Sequence, residues 1–172
     1  MVQEEITLQT LKELLDYNPE TGIFTWKVKR WRELAGQEVK GSPDKGGYKT
    51  IKLFQKRYKL HRLAWFYVYG CWPQNCIDHI DGNVINNKIT NLRDVTKQQN
   101  CQNIRKANKS NKFSKVLGVH LYTDKRWNIT KKWVARIGIN GKTKTIGYFD
   151  SIEKAKNAYI DAKRKYHAGC TI

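Results

Sequence analysis

Acidic residues are scarce in this 172-residue chain: 15 Asp and Glu stand against 33 Lys and Arg, a formal net charge of +18. A surface so short of negative charge attracts polyanions and gains affinity by releasing their counterions, which makes nucleic acid the expected partner. Long apolar runs are also absent, which argues against a protein embedded in a bilayer. Basic residues are interleaved with Trp and Tyr rather than gathered on one amphipathic helix, so anionic headgroups are a weaker expectation. The opening Met1-Val-Gln-Glu-Glu is acidic and has no apolar core, which argues against a secretory signal. The four cysteines, Cys71, Cys76, Cys101 and Cys170, form no CxxC pair. A zinc knuckle is therefore not expected, and in a reducing cytosol they read as free thiols. Disorder is excluded by 40% apolar and 12% aromatic residues. The expectation is a cytoplasmic protein with one ordinary domain or two small ones.

The charge is uneven. Residues 106–172 hold 16 basic and 4 acidic residues (+12), against 17 and 11 (+6) in residues 1–105. The C-terminal part is thus the expected electrostatic anchor. Leu8, Leu11, Leu14 and Leu15 predict an amphipathic helix, ended by the turn Asn18-Pro19-Glu20-Thr21-Gly22. Strands are predicted at 23–28, 48–54 and 58–60, followed by a buried helix over 61–70 stopped by Gly70. The stretch Asp78–Asn91, with Asp81, Gly82, Asn83, Asn86 and Asn87, has the composition of a loop tied by side-chain to backbone bonds. A short helix is predicted over 94–104. Residues 106–112, small, polar and basic, read as a linker. Beyond it, strands are predicted at 116–121, 132–139 and 143–149, the last two joined at Asn140-Gly141, a hairpin turn. Asp150 and Glu153 form a capping box for a final helix with Ile152, Ala155, Ala158, Tyr159 and Ala162 on its apolar side.

The central segment carries the chemistry. Hydrolysis of a phosphodiester assisted by metal needs a base for water, a hard cation on the phosphate and stabilisation of the leaving oxygen. Asp78 and Asn100 offer oxygen ligands suited to Mg²⁺, and His79 can take a proton near neutral pH. The phrase "DHIDGN…NN…NLR…T", with His79, Asn91 and Asn100 in order, resembles the HNH endonuclease family. That resemblance implies two strands and a helix around one divalent ion, the ββα-metal site. It implies His79 as general base, Asp78 and Asn100 as metal ligands, and Asn91 as the residue that holds the loop so that His79 faces the phosphorus. Asn100 stands where many members have a second His. This fits the phage group-I-intron homing branch and favours Mg²⁺ or Mn²⁺ over softer Zn²⁺. The segments "LLDYNPETGIFTWK" and "GYKTIKLFQKRYKLHRLAWFYVYG" are similar to those that often precede the motif in phage members. His61, amid Leu60, Leu63 and Trp65, reads as core support rather than as a second catalytic histidine.

The last fifty-odd residues resemble the ethylene-response-factor (Apetala-type) DNA-binding domain. Gly118-Val119, Lys132-Trp133-Val134-Ala135-Arg136-Ile137, Gly141-Lys142, Ile146-Gly147-Tyr148-Phe149 and "EKAKNAY" carry the likeness. Strand alternation predicts Trp133, Ala135 and Ile137 against the helix, with Val134, Arg136 and Gly138 outward. The resemblance places that outer face in a major groove. His120, Tyr122, Arg136, Thr143, Thr145 and Tyr148 are then candidate contacts, and Lys125, Arg126, Lys131 and Lys132 candidate phosphate contacts.

The combined expectation is an α+β protein. An HNH endonuclease domain spans 1–107, a basic linker 108–114, and a three-stranded antiparallel sheet packed on one helix 115–172. The expected activity is Mg²⁺- or Mn²⁺-dependent cleavage of double-stranded DNA by a homing-type enzyme, one strand per monomer. The alternative is a non-catalytic DNA-binding regulator that uses the second domain. Target sequence, nick or double-strand break, and oligomeric state are not legible.

Overall fold

The computed structural model describes residues 6–29, 34–124 and 129–172. The chain divides into two compact units, Met1–Lys97 and Gln98–Ile172, and its mixture of helix and sheet is α+β as expected.

In the first unit, helix α1 (Leu8–Leu14) starts at Thr7, whose Oγ1 accepts from the Thr10 N–H at 3.1 Å. The apolar spacing predicts that Leu15 continues this helix, but Leu15 is extended and opens strand β1 (Leu15–Asn18), antiparallel to β2 (Ile23–Trp26). Asn18 is the reason: its Oδ1 accepts from the N–H groups of Glu20 and Thr21. That turn reverses the chain into a hairpin instead of merely ending a helix. Next come β3 (Ser42–Pro43), β4 (Lys49–Leu53) and β5 (Lys56–Lys59), paired in chain order. Helix α2 (Leu60–Tyr69) buries Leu60, Leu63, Ala64 and Phe66 and ends at Gly70 in the left-handed region. Strands β6 (Cys76–His79) and β7 (Leu92–Val95) form a two-stranded antiparallel pair. Leu11, Leu15, Phe24, Leu53 and Leu63 are the fully buried centre of this unit's core.

The β1–β2 hairpin presses on the loop between β6 and β7. The Tyr17 hydroxyl donates to the Asn87 carbonyl at 2.7 Å, and the Ile89 N–H to the Pro19 carbonyl at 3.1 Å. Gly22 comes so close that a Cβ there would lie 2.4 Å from the Lys88 nitrogen. The N-terminal hairpin therefore sets the loop that follows His79.

In the second unit, β8 (Val119–Asp124), β9 (Ile129–Ile139) and β10 (Lys142–Phe149) form an antiparallel sheet in the order β10-β9-β8, backed by α4 (Ile152–Tyr166). Asn140 and Gly141 both have positive φ, 49° and 76°, as a type I′ hairpin turn requires. The α4 cap is Ser151 rather than Asp150: its Oγ accepts from the Lys154 N–H at 3.2 Å. Val119, Ala135, Ile137, Ala155, Tyr159 and Ala162 make the core. Gly118, at φ 71°, has no room for a side chain, since a Cβ would fall 2.0 Å from the Tyr159 ring. Gly118→Ala is expected to destabilise this unit by about 3 kcal/mol, combining overpacking with left-handed strain. A urea melt followed at the second unit that matches the parent chain would refute this.

Two segments differ from the sequence expectation. Helix α3 (Lys97–Gln102) from its second residue on, and the residues after it, expected with the nuclease domain, group with the second unit. The buried Lys163 donates its Nζ to the Ile104 carbonyl, the Gly169 N–H bonds Gln102 Oε1 at 2.9 Å, and Arg105 Nη2 bonds Thr171 Oγ1 at 2.6 Å. The stretch 108–114, expected as a linker, is folded. Asn111 Nδ2 donates to the carbonyls of Val116 and Val119 at 2.9 and 2.8 Å, and buried Ser114 donates to the Val119 carbonyl. Small polar residues suit a tether, but here their side chains satisfy backbone carbonyls and fix a compact loop.

Candidate active site

Pairing of β6 with β7 sets Asp78 opposite Arg93 and His79 opposite Leu92. Arg93 donates Nε and Nη2 to Asp78 Oδ2 at 2.9 and 2.7 Å. The carboxylate is buried while the guanidinium remains partly exposed. Asp94, next along β7, accepts from the Gln74 and Asn75 N–H groups and so fixes the entry to β6.

His79 is 3% exposed. Its Nε2 lies 3.1 Å from Asn87 Oδ1. An amide oxygen only accepts, so Nε2 carries the proton and the ring lone pair is on Nδ1. The His61 ring meets the His79 ring edge-on, with centroids 5.2 Å apart, and Tyr48 flanks both at 4.8 and 5.9 Å. Burial lowers the His79 pKa below the usual histidine value; the Asn87 bond and the carboxylates of Asp81 and Asp78 oppose that shift. His79 is accordingly neutral near pH 7 and able to accept a proton.

Asn91 is buried and fastens the loop from within. Its Nδ2 donates to Asp81 Oδ1 at 3.0 Å and to the Asn86 carbonyl at 2.8 Å, while its Oδ1 accepts from the Asp81 N–H. The side chain that holds the His79 ring is Asn87. By composition Asn87 belongs to the ordered loop, but nothing in that composition singles it out for this role, nor Arg93 as the partner of Asp78. The signals were the second Asn of Asn86-Asn87 and the Arg of Asn91-Leu92-Arg93.

His61 is core support, as expected, since it is 5% exposed. It also walls His79. Burial, followed by the charges of His79, Lys59 and Arg62, pushes its pKa down to about 3. Between pH 6.5 and 3 the unfolded chain binds a proton that the folded chain refuses, so stability is full above pH 6.5 and falls as the solution is acidified through that window. His61→Phe is expected to flatten this part of the pH–stability curve for the first unit. Parallel curves for the two proteins would show that His61 does not titrate this way.

Asp78, His79 and Asn91 all lie in the first unit, where Asp78 bonds Arg93, His79 bonds Asn87 and Asn91 bonds Asp81 and Asn86. Asn100 stands, half-buried, on α3 in the second unit. A carboxylate and an amide are hard oxygen donors, which is the chemistry Mg²⁺ or Mn²⁺ takes alongside waters. Asp78 fits such an ion by donor type, with its Oδ2 bonded to Arg93. No cluster of three or more His, Cys, Asp or Glu is found among the described residues.

On the sheet of the second unit, the described contact candidates share one face. Register sets His120 opposite Val134 and Tyr122 opposite Lys132, with Thr145 opposite Arg136 and Thr143 opposite Gly138. A bulge between Thr145 and Gly147 shifts the phase so that Tyr148 pairs with Val134 and joins the same face. His120, Lys132, Arg136, Thr143, Thr145 and Tyr148 are exposed and Tyr122 is half-buried. Val134 shares this outward face, as expected, yet is 1% exposed. It lies between His120 and Tyr148, and the Tyr148 ring meets Tyr122 edge-on at 5.0 Å. Lys125 and Arg126 lie outside the described residues, as does the side chain of Lys131.

Residues 58–102 match the HNH endonuclease family. They contain β6, the loop, β7 and α3 as well as α2. The chain is also similar to DNA endonuclease I-HmuI of Bacillus phage SP01, 39% identical over 74 residues that cover 40% of this chain and 42% of that protein. The match thus spans less than half of either chain. No solved structure matches. No helix among the described residues is long and apolar enough to cross a membrane.

Proposed function

We propose that this chain is a metal-dependent endonuclease of double-stranded DNA, of the phage homing type, acting in the host cytoplasm. Its HNH segment does the chemistry and its C-terminal sheet, an Apetala-type module, places it on DNA. The observation that carries this reading is the buried His79, neutral and held through Nε2 by Asn87, inside the segment that matches HNH endonucleases.

In the reaction, Nδ1 of His79 takes a proton from water, whose oxygen forms a bond to phosphorus as the ester bond to the leaving oxygen breaks. Asn87 fixes the tautomer and the ring direction. Asn91 closes the loop through Asp81 and Asn86, so that the His79 backbone cannot drift. Asp78 is the proposed ligand of a Mg²⁺ or Mn²⁺ ion, which when bound would offset charge on the phosphate and leaving oxygen, and Asn100 is the further ligand that the resemblance to HNH endonucleases implies. One base per chain predicts one strand cut per event. The exposed face of His120, Tyr122, Arg136, Thr143, Thr145 and Tyr148 is the proposed major-groove surface, with Lys125, Arg126, Lys131 and Lys132 at the phosphates.

A second reading, a DNA-binding regulator without catalysis, is favoured by one observation: Asp78 is engaged by Arg93. Supercoiled plasmid incubated with the protein and Mg²⁺ separates the two. Nicked circles that form with Mg²⁺ and not with EDTA support the nuclease. Shifted but uncut DNA, on every substrate including phage genomic DNA, supports the regulator.

A further inference from the structure

The loop expected to be a passive linker carries a run of positive charge with no carboxylate near it in sequence. No Asp or Glu occurs between Asp94 and Asp124, while Arg105, Lys106, Lys109, Lys112 and Lys115 fall within eleven residues. All five are exposed. A mobile tether could carry them as solvated charges, but this backbone is fixed. Asn111 and Ser114 bond inward to the carbonyls of Val116 and Val119, and the turn closes with the Asn111 N–H on the Asn108 carbonyl at 2.9 Å.

Two adjoining depressions open on this loop and share Ala107 and Lys115 in their walls. One, of about 500 Å³, is rimmed by Arg105, Lys106, Lys115 and Lys156. Its floor is apolar, including Val116, Leu117 and Ile160. The other, of about 330 Å³, is lined by Lys109, Lys112 and Lys115 with Asn108 and Asn111. Neither has a carboxylate side chain in its lining. Phe113, between Lys112 and Lys115, is 77% exposed, the most exposed large apolar side chain among the described residues. Fixing like charges together on an ordered loop is unfavourable unless a polyanion neutralises them. An exposed ring among lysines adds a stacking or wedging surface, as nucleic-acid binders use.

We propose that residues 105–117 form a second DNA-contact surface, separate from the sheet face, in which the lysines grip the sugar–phosphate backbone and Phe113 packs against sugars and bases. This rests on the reading of the chain as a DNA endonuclease.

The test uses the full chain and a random-sequence 30-bp duplex, with binding measured across a salt series. Replacing Lys106, Lys109, Lys112 and Lys115 by Gln is expected to flatten the plot of log K against log[salt] by about 0.9 for each phosphate no longer neutralised, roughly two to four phosphates in all. Replacing exposed Lys12, Lys27, Lys29 and Lys40 by Gln removes the same charge elsewhere and should change the slope by less than about 0.9. Phe113→Ser should cost about tenfold in affinity with the slope kept, since its stacking releases no counterion. If the fourfold variant misfolds, Lys109→Gln and Lys112→Gln singly should each lower the slope by about 0.9. A fourfold variant with the slope of its control overturns the inference. So does binding to anionic vesicles with none to the duplex. Nicking of plasmid by the parent chain is scored alongside. A flattened slope without any nicking keeps this surface and sinks the endonuclease; nicking with an unchanged slope does the reverse.

Discussion

His79→Ala is expected to slow strand cutting by about 10²–10⁴-fold, the usual worth of a positioned general base, and to leave duplex affinity nearly as it was. The separation follows from placement. His79 is buried in the first unit and bonded to Asn87, whereas the proposed groove and backbone contacts stand on the second. Asn87→Ala tests the positioning. The ring would keep its place between His61 and Tyr48 but lose the partner that holds the proton on Nε2. A loss of about tenfold in rate, recovered in part by Asn87→Ser, would match that role. Since His79 is packed, the urea midpoint of each variant must be compared at the same pH. If His79→Ala binds and cuts worse by the same factor, the residue is structural and the base lies elsewhere.

What the sequence made legible was local. Asp78-His79 and the asparagine-rich loop stand out because their composition is unusual over a few residues, and the Asn140-Gly141 turn because only its residue types tolerate two successive positive φ angles. What stayed hidden needed register. Arg93 lies fifteen residues from Asp78 and meets it only because β7 pairs antiparallel with β6 at that offset. Asn87 reaches His79 because Tyr17 and Gly22, seventy and sixty-five positions earlier, pin the loop from the β1–β2 hairpin. On the sheet, simple alternation sets odd-numbered Thr143 and Thr145 against even-numbered Tyr148, and the bulge at 145–147 reconciles them. Burial of Val134 under its cross-strand neighbours is likewise invisible to a period-two reading. The loop at 105–117 was misleading for a different reason. Lys, Asn and Ser describe a flexible tether by composition, and only the direction of the Asn111 and Ser114 bonds reveals a fixed surface.

Arg93→Met should destabilise the first unit by about 2–3 kcal/mol. Breaking a buried ion pair costs about 3–5 kcal/mol when one charge is left uncompensated. The lower figure applies because the Arg93 side chain is 27% exposed and partly screened by solvent, against 7% for Asp78. Asp78→Asn should cost less, since a guanidinium near the surface can turn to water. The double variant should recover part of the Arg93→Met loss, because the buried charge is gone. Urea unfolding of all four proteins gives the coupling directly, and a coupling near zero would show that the pair holds nothing together. The same series examines Asp78 as a ligand. With Arg93 removed, the carboxylate is the uncompensated charge of the site, so millimolar Mg²⁺ should raise the midpoint of Arg93→Met more than that of the parent chain, through binding to the folded state alone. The double variant lacks the carboxylate and should not respond. An equal response in all four proteins would place the ion elsewhere. No response in any would leave Asp78 as the structural partner of Arg93, with the ligand role assigned to it withdrawn.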